Sequence, residues 1–235
     1  DPQVPPAGRR AGGEELGPFP NPLFIGGAPK SWGLTYKASD TESFTLVNGT
    51  KYGPYRITEG LEFDRRGEHF LFTYRDGGTV FNIQETPVRV RERNGVVYDG
   101  GPVFEIERGV QAAISPNGEH WIATGDAAMQ AAKCVVDGKE VWSDEKLRIG
   151  YPLCIADSGS WMATTHDFSH GRERLIQRVL LNGRVVFEAK EGERLGYGRM
   201  SEDGEHWMAN LESGTTKRLV VDGQETDLAA EGRAP

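Results

Sequence analysis

The stretch KCVVDGKEVW, residues 133–142, places an Asp-Gly pair between two short segments that contain apolar residues. Asp-Gly and Asn-Gly in this setting favour a two-residue hairpin turn, because both central residues need positive φ. The stretch therefore predicts two antiparallel strands joined by a tight turn. The same arrangement occurs five times, with the first turn residue at Asn48, Asp99, Asp137, Asn182 and Asp222, each followed by Gly.

A second pattern runs in phase with the first. A turn and an aromatic residue precede the hairpin, as in SPNGEHWIA (115–123), SEDGEHWMA (201–209) and DRRGEHFLF (64–72). The aromatic residues are Trp32, Phe70, Trp121, Trp161 and Trp207. Together the two patterns predict four strands in each repeat of roughly 40–50 residues, which is the signature of a β-propeller blade.

These repeats predict an all-β fold, because few segments show the 3.6-residue period of an amphipathic helix. We expect a five-bladed β-propeller of four-stranded antiparallel blades, formed as a single domain by residues 20–235. Residues 1–19 are rich in Pro and Gly and are predicted to form an extended N-terminal arm. The predicted blades span about 20–58, 59–107, 108–147, 148–193 and 194–229.

The segments SPNGEHWIA and CVVDGKEVW resemble the repeats of the bacterial WD-repeat-like, TolB-type propeller family. The resemblance covers most of the chain and implies blade architecture. The family consists mostly of binding platforms and includes some enzymes, so the resemblance does not choose a function. The chain departs from the family in its regular [Asn/Asp]-Gly hairpin turn and in having fewer blades than the family commonly uses.

The repeated histidines are interpreted as structural. His69, His120 and His206 occupy one position in blades two, three and five, where blades one and four carry Ser31 and Ser160. Neighbouring sheets pack about 10 Å apart, whereas zinc–nitrogen bonds are about 2 Å long. The three rings therefore cannot share one metal ion. We expect each His to lie at a turn and the aromatic residue after it to pack between blades.

Metal, disulfide and cofactor chemistry are not predicted. Cys134 falls in a third strand and Cys154 in a first strand, positions too far apart for a disulfide, so both are expected to be buried free thiols. His166, Asp167 and His170 form the one local metal-like grouping and are interpreted as a solvated loop. No cofactor-binding motif is present.

Composition restricts the partners. The chain carries 27 Lys and Arg against 35 Asp and Glu, a net charge of −8. Such a surface does not favour nucleic acid or anionic lipid, and no apolar run approaches the roughly 20 residues needed to cross a bilayer. The Pro-rich start at Asp1 is compatible with residues that follow a cleaved signal peptide, and we therefore expect an extracytoplasmic (periplasmic or extracellular) location.

The first strands of a propeller line its channel, where a five-bladed glycoside hydrolase would hold its catalytic carboxylates. One aligned position holds Gly26, Glu62, Ala113, Cys154 and Arg199. One acid and one base stand there instead of the carboxylate pair that glycoside hydrolysis uses. We predict a structural ion pair between Glu62 and Arg199 across the channel and no catalytic residue.

Two insertions concentrate arginine in this acidic chain. Partner-binding candidates in the loops of blades two and four are Arg75, Arg89, Arg91, Arg93, Arg172, Arg174 and Arg178. Loops that depart from a scaffold repeat often carry function, and arginine favours carboxylate or sulfate groups. Alternatively, RVRER (89–93) is an alternating strand with one solvated face. The arm offers Pro18, Phe19 and Pro20 as assembly candidates, by strand addition or as a Pro-rich ligand.

These features favour a non-catalytic interaction platform, a structural subunit of a larger extracytoplasmic assembly that binds protein partners or other copies of itself. A carbohydrate-binding propeller that takes an acidic glycan is the alternative. A five-bladed glycoside hydrolase is a third hypothesis, which the missing carboxylate pair disfavours.

Overall fold

A computed structural model describes residues 22–77, 80–83, 86–89, 93–106, 108–126, 132–167 and 176–227. These residues form strands and turns, and no helix occurs among them. These described residues therefore contain no helix that is long and apolar enough to cross a bilayer. The predicted arm, residues 1–19, and its candidates Pro18, Phe19 and Pro20 lie outside the described residues.

Five four-stranded antiparallel sheets follow one another along the chain, and each corresponds to one predicted blade. Blade one contains β1 (Pro22–Ala28), β2 (Ser31–Lys37), β3 (Ser43–Val47) and β4 (Thr50–Tyr55). Blade two contains β5 (Ile57–Phe63), β6 (Phe70–Asp76), β9 (Arg93–Tyr98) and β10 (Gly101–Ile106). Within it, β7 (Val80–Ile83) and β8 (Thr86–Arg89) form a separate two-stranded sheet.

The remaining three blades repeat the pattern without an inserted sheet. Blade three contains β11 (Arg108–Ile114), β12 (Trp121–Asp126), β13 (Ala132–Val136) and β14 (Lys139–Asp144). Blade four contains β15 (Leu147–Ile155), β16 (Trp161–Asp167), β17 (Ile176–Leu181) and β18 (Arg184–Glu188). Blade five contains β19 (Arg194–Met200), β20 (Trp207–Ser213), β21 (Thr216–Val221) and β22 (Gln224–Asp227).

The five predicted hairpin turns are confirmed. The first turn residue has φ between 48° and 50° at Asn48, Asp99, Asp137, Asn182 and Asp222. The Gly that follows has φ between 80° and 85° in all five turns. Two consecutive residues with positive φ match the twist of the flanking strands, which explains why this dipeptide is so regular in the sequence.

The apolar residues of the second and third strands form the cores between neighbouring blades. The aromatic that starts each second strand belongs to these cores: Trp161 packs with Ile122 and Cys134 of blade three, and Trp207 packs with Met162 and Val179 of blade four. Fully burying side chains of this size stabilises the fold by about 1.5–3 kcal/mol each. The predicted packing of these aromatics between blades is thus confirmed for the blade pair three–four and the blade pair four–five.

The chain divides into two compact units, residues 1–112 and 113–235. The first unit contains blades one and two, and the second contains blades three, four and five, with β11 spanning the boundary. Inside the first unit, Val47 of blade one packs with Leu61 and Phe72 of blade two. Each unit therefore has its own inter-blade core.

Each blade has two distinct ends, because consecutive antiparallel strands run in opposite directions. The turn end holds the connections from first to second strand and from third to fourth strand. The loop end holds the connection from second to third strand and the chain that leads to the next blade. Every predicted Arg-bearing insertion falls at a loop end, whereas the repeated histidines fall at turn ends.

Candidate functional site

The repeated histidines at the turn end each bind the Asp of the neighbouring hairpin turn. The distance from His Nδ1 to Asp Oδ2 is 2.6 Å for His69 and Asp99, 2.7 Å for His120 and Asp137, and 2.8 Å for His206 and Asp222. The other carboxylate oxygen accepts the backbone N–H of the following aromatic residue, at 2.8–3.0 Å. We call this arrangement of His, Asp and backbone N–H the His–Asp clamp.

Blades one and four use a neutral version of the same clamp. Oδ1 of Asn48 accepts the N–H of Trp32 at 3.0 Å, and Nδ2 of Asn48 donates to Oγ of Ser31 at 2.9 Å. In blade four, Oδ1 of Asn182 accepts the N–H of Trp161 at 2.8 Å. The two positions vary together, since His accompanies Asp and Ser accompanies Asn in all five blades. The histidine therefore has a local structural partner in each blade that contains it.

In the clamps of blades two and five, the His–Asp hydrogen bond shifts the pKa of the histidine. The hydrogen bond to Asp99 raises the pKa of His69, although burial opposes the shift. The hydrogen bond to Asp222 raises the pKa of His206. The backbone N–H of Trp207, followed by His206, lowers the pKa of Asp222. These shifts are those of a charged pair at a partly exposed turn.

Turns of neighbouring blades also hydrogen-bond to one another within each unit. Oγ of Ser31 in blade one donates to the carbonyl of Gly67 in blade two at 2.5 Å. In the second unit, the N–H of Asn117 donates to the carboxylate of Asp157 at 2.7 Å, and the N–H of Asp157 donates to the carbonyl of Glu202 at 2.8 Å. The described turn end is thus built from repeated contacts within the protein.

The loop end of blade two holds the first group of predicted arginines. Arg75 binds Glu59 with one nitrogen at 2.8 and 2.9 Å from the two carboxylate oxygens. Arg93 approaches Asp76 at 3.3 Å, and its side chain is 64% exposed. Exposed pairs of this kind contribute about 0–1 kcal/mol, so these guanidinium groups can exchange their carboxylate for one on a partner. Arg89 is the last residue of β8, and the structure does not describe its side chain. Arg91 lies outside the described residues.

The loop end of blade four holds the second group. Arg178, on β17, is 19% exposed and lies between two carboxylates, with Nε 2.6 Å from Glu188 and Nη1 3.3 Å from Asp167. Its described contacts connect the ends of the second, third and fourth strands. Arg172 and Arg174 lie outside the described residues. A partner-binding role for this group stays a prediction.

Two members of the grouping around His166 differ from the solvated loop that was predicted, and the third, His170, lies outside the described residues. His166 and Asp167 are the last residues of strand β16, and both are half-buried. Nε2 of His166 lies 2.8 Å from Nε2 of Gln177, and Oε1 of Gln177 accepts the N–H of Leu195 in blade five at 2.6 Å. Burial lowers the pKa of His166, which suits a neutral ring that accepts the Gln177 proton. The strand continues past the predicted loop start because each side chain finds a cross-strand partner.

The two cysteines are free, as predicted, but only one is buried. Cys134 is fully buried, and burial raises its pKa to about 12. Cys154 is half-buried, with Sγ 3.7 Å from the carbonyl of Gly198. The expectation of two buried thiols was wrong for Cys154, because the first strand of blade four has one face only partly covered.

The aligned first-strand position is confirmed by strand register where it is described. Gly26, Glu62, Cys154 and Arg199 each pair with the residue that follows the anchor aromatic. Arg199 donates from Nε to the hydroxyl of Tyr197 at 2.8 Å, and its guanidinium carbon lies 5.3 Å from that ring centroid. Glu62 and Arg199 belong to different compact units, so their predicted ion pair stays a prediction.

One pocket of about 330 Å³ lies in the first unit, between the first turn of blade one and β5. It is lined by Gly27, Ala28, Pro29, Leu61, Phe63, Asp64 and Arg65. The carboxylate of Asp64 already accepts the backbone N–H groups of Glu68 and His69 at 2.7 and 2.8 Å. Asp64 therefore closes the turn of blade two. Among the described residues, no three His, Cys, Asp or Glu side chains are grouped so as to hold a metal ion.

Comparison with known proteins shows the fold. The chain is similar to the acylaminoacyl peptidase of Pyrococcus horikoshii, with a TM-score of 0.54 and 10% identity over 88% of this chain and 38% of that one. It is also similar to a eukaryotic initiation factor, with a TM-score of 0.51 and 8% identity over 88% of this chain and 54% of that one. At such identities the likeness shows the fold alone, and that fold is a β-propeller.

The chain spans about half or less of the length of these two structures. A putative TolB of Agrobacterium tumefaciens is similar as well, with a TM-score of 0.47 and 9% identity over 87% of this chain and 79% of that one. No protein-family model matches the sequence, and no curated protein matches it. The five four-stranded antiparallel sheets and the likeness to the first two structures define an all-β fold with blades of the β-propeller type.

Proposed function

We propose that this chain is a non-catalytic interaction platform, a structural subunit of a larger extracytoplasmic assembly. Its five blades close into one propeller ring, and partners bind at the loop ends of blades two and four. The proposal is supported by the difference between the two ends of the blades. The turn end repeats one set of internal contacts, whereas the loop end carries insertions that belong to single blades.

The observation that carries this proposal is the two-stranded sheet β7–β8. Val80–Ile83 pairs with Thr86–Arg89 in a hairpin that joins none of the four-stranded sheets. A two-stranded sheet alone is marginally stable in water, so such an insertion gains stability when it packs on another surface. A binding partner supplies that surface.

Gly77, the last described residue before the insertion, is held by the scaffold. Nη1 of Arg56, from the segment between blades one and two, donates to the carbonyl of Gly77 at 3.1 Å. The carboxylate of Asp76 accepts the N–H of Gly77 at 3.0 Å. The chain therefore leaves β6 from a residue that the scaffold holds, as rigid scaffolds do for the loops they present.

The chemistry of the partner follows from the charges near this insertion. Arg75 and Arg93 hold carboxylates in exposed pairs, and Arg89 stands at the end of β8. A partner that offers Asp or Glu side chains at matching positions can take over these guanidinium groups in charge-assisted hydrogen bonds. We therefore propose an acidic protein surface as the partner at this end.

Site-specific photo-crosslinking in cells that produce the protein tests the platform. A crosslinking residue replaces Glu59 at the loop end of blade two, which leaves Arg75 and Arg93 in place, and a matched control replaces Lys139 at a turn end, where the side chain is also exposed. We expect a discrete protein adduct from position 59 that is lost when residues 80–89 are replaced by a Gly-Ser linker. Absence of an adduct at position 59, or the same adduct from position 139, contradicts the proposal.

Self-assembly through the arm is tested separately by the solution mass of the purified protein. Light scattering compares the full chain with a chain that lacks residues 1–19, which contain Pro18, Phe19 and Pro20. If the arm is an assembly element, the full chain self-associates and the shortened chain is monomeric. If both chains are folded monomers, the arm is not an element of self-assembly. The partner at the loop ends is then a different molecule.

A further inference from the structure

A buried glutamine connects blade four to blade five at the loop end of blade four. Gln177 on β17 is 5% exposed, and its side-chain amide is bonded at both ends. Nε2 of Gln177 lies 2.8 Å from Nε2 of His166 on the neighbouring strand β16, and Oε1 accepts the backbone N–H of Leu195 on β19 at 2.6 Å. These two hydrogen bonds run in sequence from one blade to the next, and we call them the Gln177 bridge.

The backbone fixes the direction of both hydrogen bonds. The Leu195 N–H only donates, so the amide oxygen of Gln177 faces it and the amide nitrogen faces His166. An amide nitrogen is a donor, so Nε2 of His166 accepts the bond and carries no proton. The neutral ring therefore holds its proton on Nδ1. Burial lowers the pKa of His166, in agreement with a neutral ring at neutral pH.

The packing around the bridge leaves its groups little room. A Cβ on Gly150 would lie 2.5 Å from Nε2 of His166, so the ring lies directly against the backbone of β15. Gly150 does not have a positive φ, and its lack of a side chain serves to admit the ring. Leu195 is 6% exposed and belongs to the core between blades four and five. An N–H that loses its acceptor in such a place is costly.

The described charges around the ring do not favour a second cation. The strands of the bridge and the residue before β19 carry these charged groups: Arg148, Asp167, Arg178, Glu193 and Arg194. Arg148 is the cross-strand partner of His166 and lies on the same face of the sheet. Asp167 and Arg178 alternate to the other face, where they bind each other. Glu193 forms an ion pair within blade five, and Arg194 is exposed.

A proton on Nε2 of His166 reverses the bonding that the ring requires. Both nitrogens of an imidazolium are donors, so Nε2 then faces the donor nitrogen of Gln177. Turning the amide brings its oxygen to the ring, but its nitrogen then faces the Leu195 N–H, which is also a donor. We propose that the Gln177 bridge is a pH-sensitive latch at the loop end between blades four and five, closed while His166 is neutral and open when the ring is protonated.

The latch opens toward acid pH. The usual pKa of a histidine is about 6.5, and burial lowers the value for His166 in the folded protein. Between these two values the unfolded chain binds more protons than the folded one, so stability falls as the pH falls. The bridge is therefore complete at neutral pH. It lies within the second compact unit and does not depend on the function proposed above.

NMR on the full chain tests the latch. The nitrogen chemical shifts of the His166 ring at about pH 8, well above the usual histidine pKa, show which ring nitrogen carries the proton. Hydrogen exchange at about pH 8 and about pH 5 gives the protection factor of the Leu195 N–H, corrected for the intrinsic exchange rate. Ala189 is the matched control, because its N–H donates to the main-chain carbonyl of Gln177 at 2.9 Å and the residue is also buried.

We expect the proton on Nδ1 of His166 and a loss of Leu195 protection of about tenfold at the lower pH, the effect of one lost buried hydrogen bond. Ala189 keeps its protection, because its acceptor belongs to the backbone. His166→Gln places a non-titrating oxygen acceptor near Nε2 and should keep Leu195 protected at both pH values. His206→Gln, a histidine outside the bridge, should leave the response of Leu195 unchanged.

Three results overturn the proposal. The first is a neutral His166 ring protonated on Nε2. The second is an equal loss of protection at Leu195 and Ala189, which would show that the blades open as a whole. The third is a response of Leu195 that persists in His166→Gln. The first two are measured on the unaltered protein, so they decide the matter even if His166→Gln does not fold.

Discussion

Nδ1 of His120 lies 2.7 Å from Oδ2 of Asp137, and Oδ1 of the same carboxylate accepts the N–H of Trp121. The Asp137 side chain, in the turn between the third and fourth strands, thus binds both the histidine and the first residue of the second strand. Because equivalent bonds recur in blades two and five, the repeated Gly-Glu-His-aromatic segment is explained as a structural clamp.

Removing the carboxylate of this clamp should destabilise blade three. Asp137→Ala leaves the Trp121 N–H and the His120 ring without their acceptor and is expected to lower the free energy of unfolding by about 1–3 kcal/mol. The strain of Ala at a φ of 49° adds about 1 kcal/mol. Asp137→Asn is the control, since Asn182 performs the same role with φ of 50°, and it should cost less. Urea denaturation measures both. Equal losses for Ala and Asn would show that the acceptor contributes nothing.

The clamp also predicts a pH dependence. The pKa of His206 is raised in the folded protein, so its contribution to stability is complete below the unfolded pKa of about 6.5 and is lost as the pH rises through the folded value. The pKa of Asp222 is lowered, so its contribution is lost as the pH falls through its folded value. NMR titration of the histidine ring protons should show the His206 pKa falling in Asp222→Asn.

The stability difference between wild type and Asp222→Asn should accordingly be greatest between about pH 4 and pH 6.5 and shrink toward pH 8. His166, whose lowered pKa changes stability in the opposite direction, is present in both proteins. Its contribution therefore cancels in the stability difference. A difference that grows above pH 7 would contradict the charged pair.

Close stacking of turns predicts that Gly204 cannot be replaced. A Cβ at Gly204 would lie 2.7 Å from Cβ of Ser160 and 2.8 Å from Oγ of Ser158, and φ is 78°. Gly214 is the matched control, because its φ is 57° and nothing lies within 4 Å of a Cβ there. Gly214→Ala should cost about 1 kcal/mol from the backbone alone, and Gly204→Ala at least about 1 kcal/mol more. Similar melting temperatures would show that the blade turns can move apart.

The cysteines should differ in reactivity. Cys134 is buried with a pKa raised to about 12, and thiolate is the reactive form, so this thiol should resist a disulfide reagent in the native protein. Cys154 is half-buried and should react slowly. Thiol counting with such a reagent should give one native and two denatured groups, with Cys154→Ser abolishing the native signal. Rapid native modification of Cys134 would show that blade three opens easily.

Local chemistry made the strands and turns predictable. The Asn-Gly and Asp-Gly pairs require positive φ, which fixed five hairpins, and the aromatic anchors such as Trp161 and Trp207 marked each second strand. The pairing of His with Asp and of Ser with Asn was also present in the sequence as a joint variation between positions such as His120 and Asp137. It was not recognised, because the two residues lie in different turns that meet only when the second and third strands pair.

The sequence by itself determined the all-β repeat, the four strands of each blade and the hairpin turns, because these depend on backbone preferences within a few residues. Tertiary structure alone decided which face of a blade is covered. Met162 on β16 is fully buried because it lies in one core with Trp207 and Leu211 of the following blade. Burial depends on what packs against a sheet, and a repeating sequence does not carry that information in any one of its repeats.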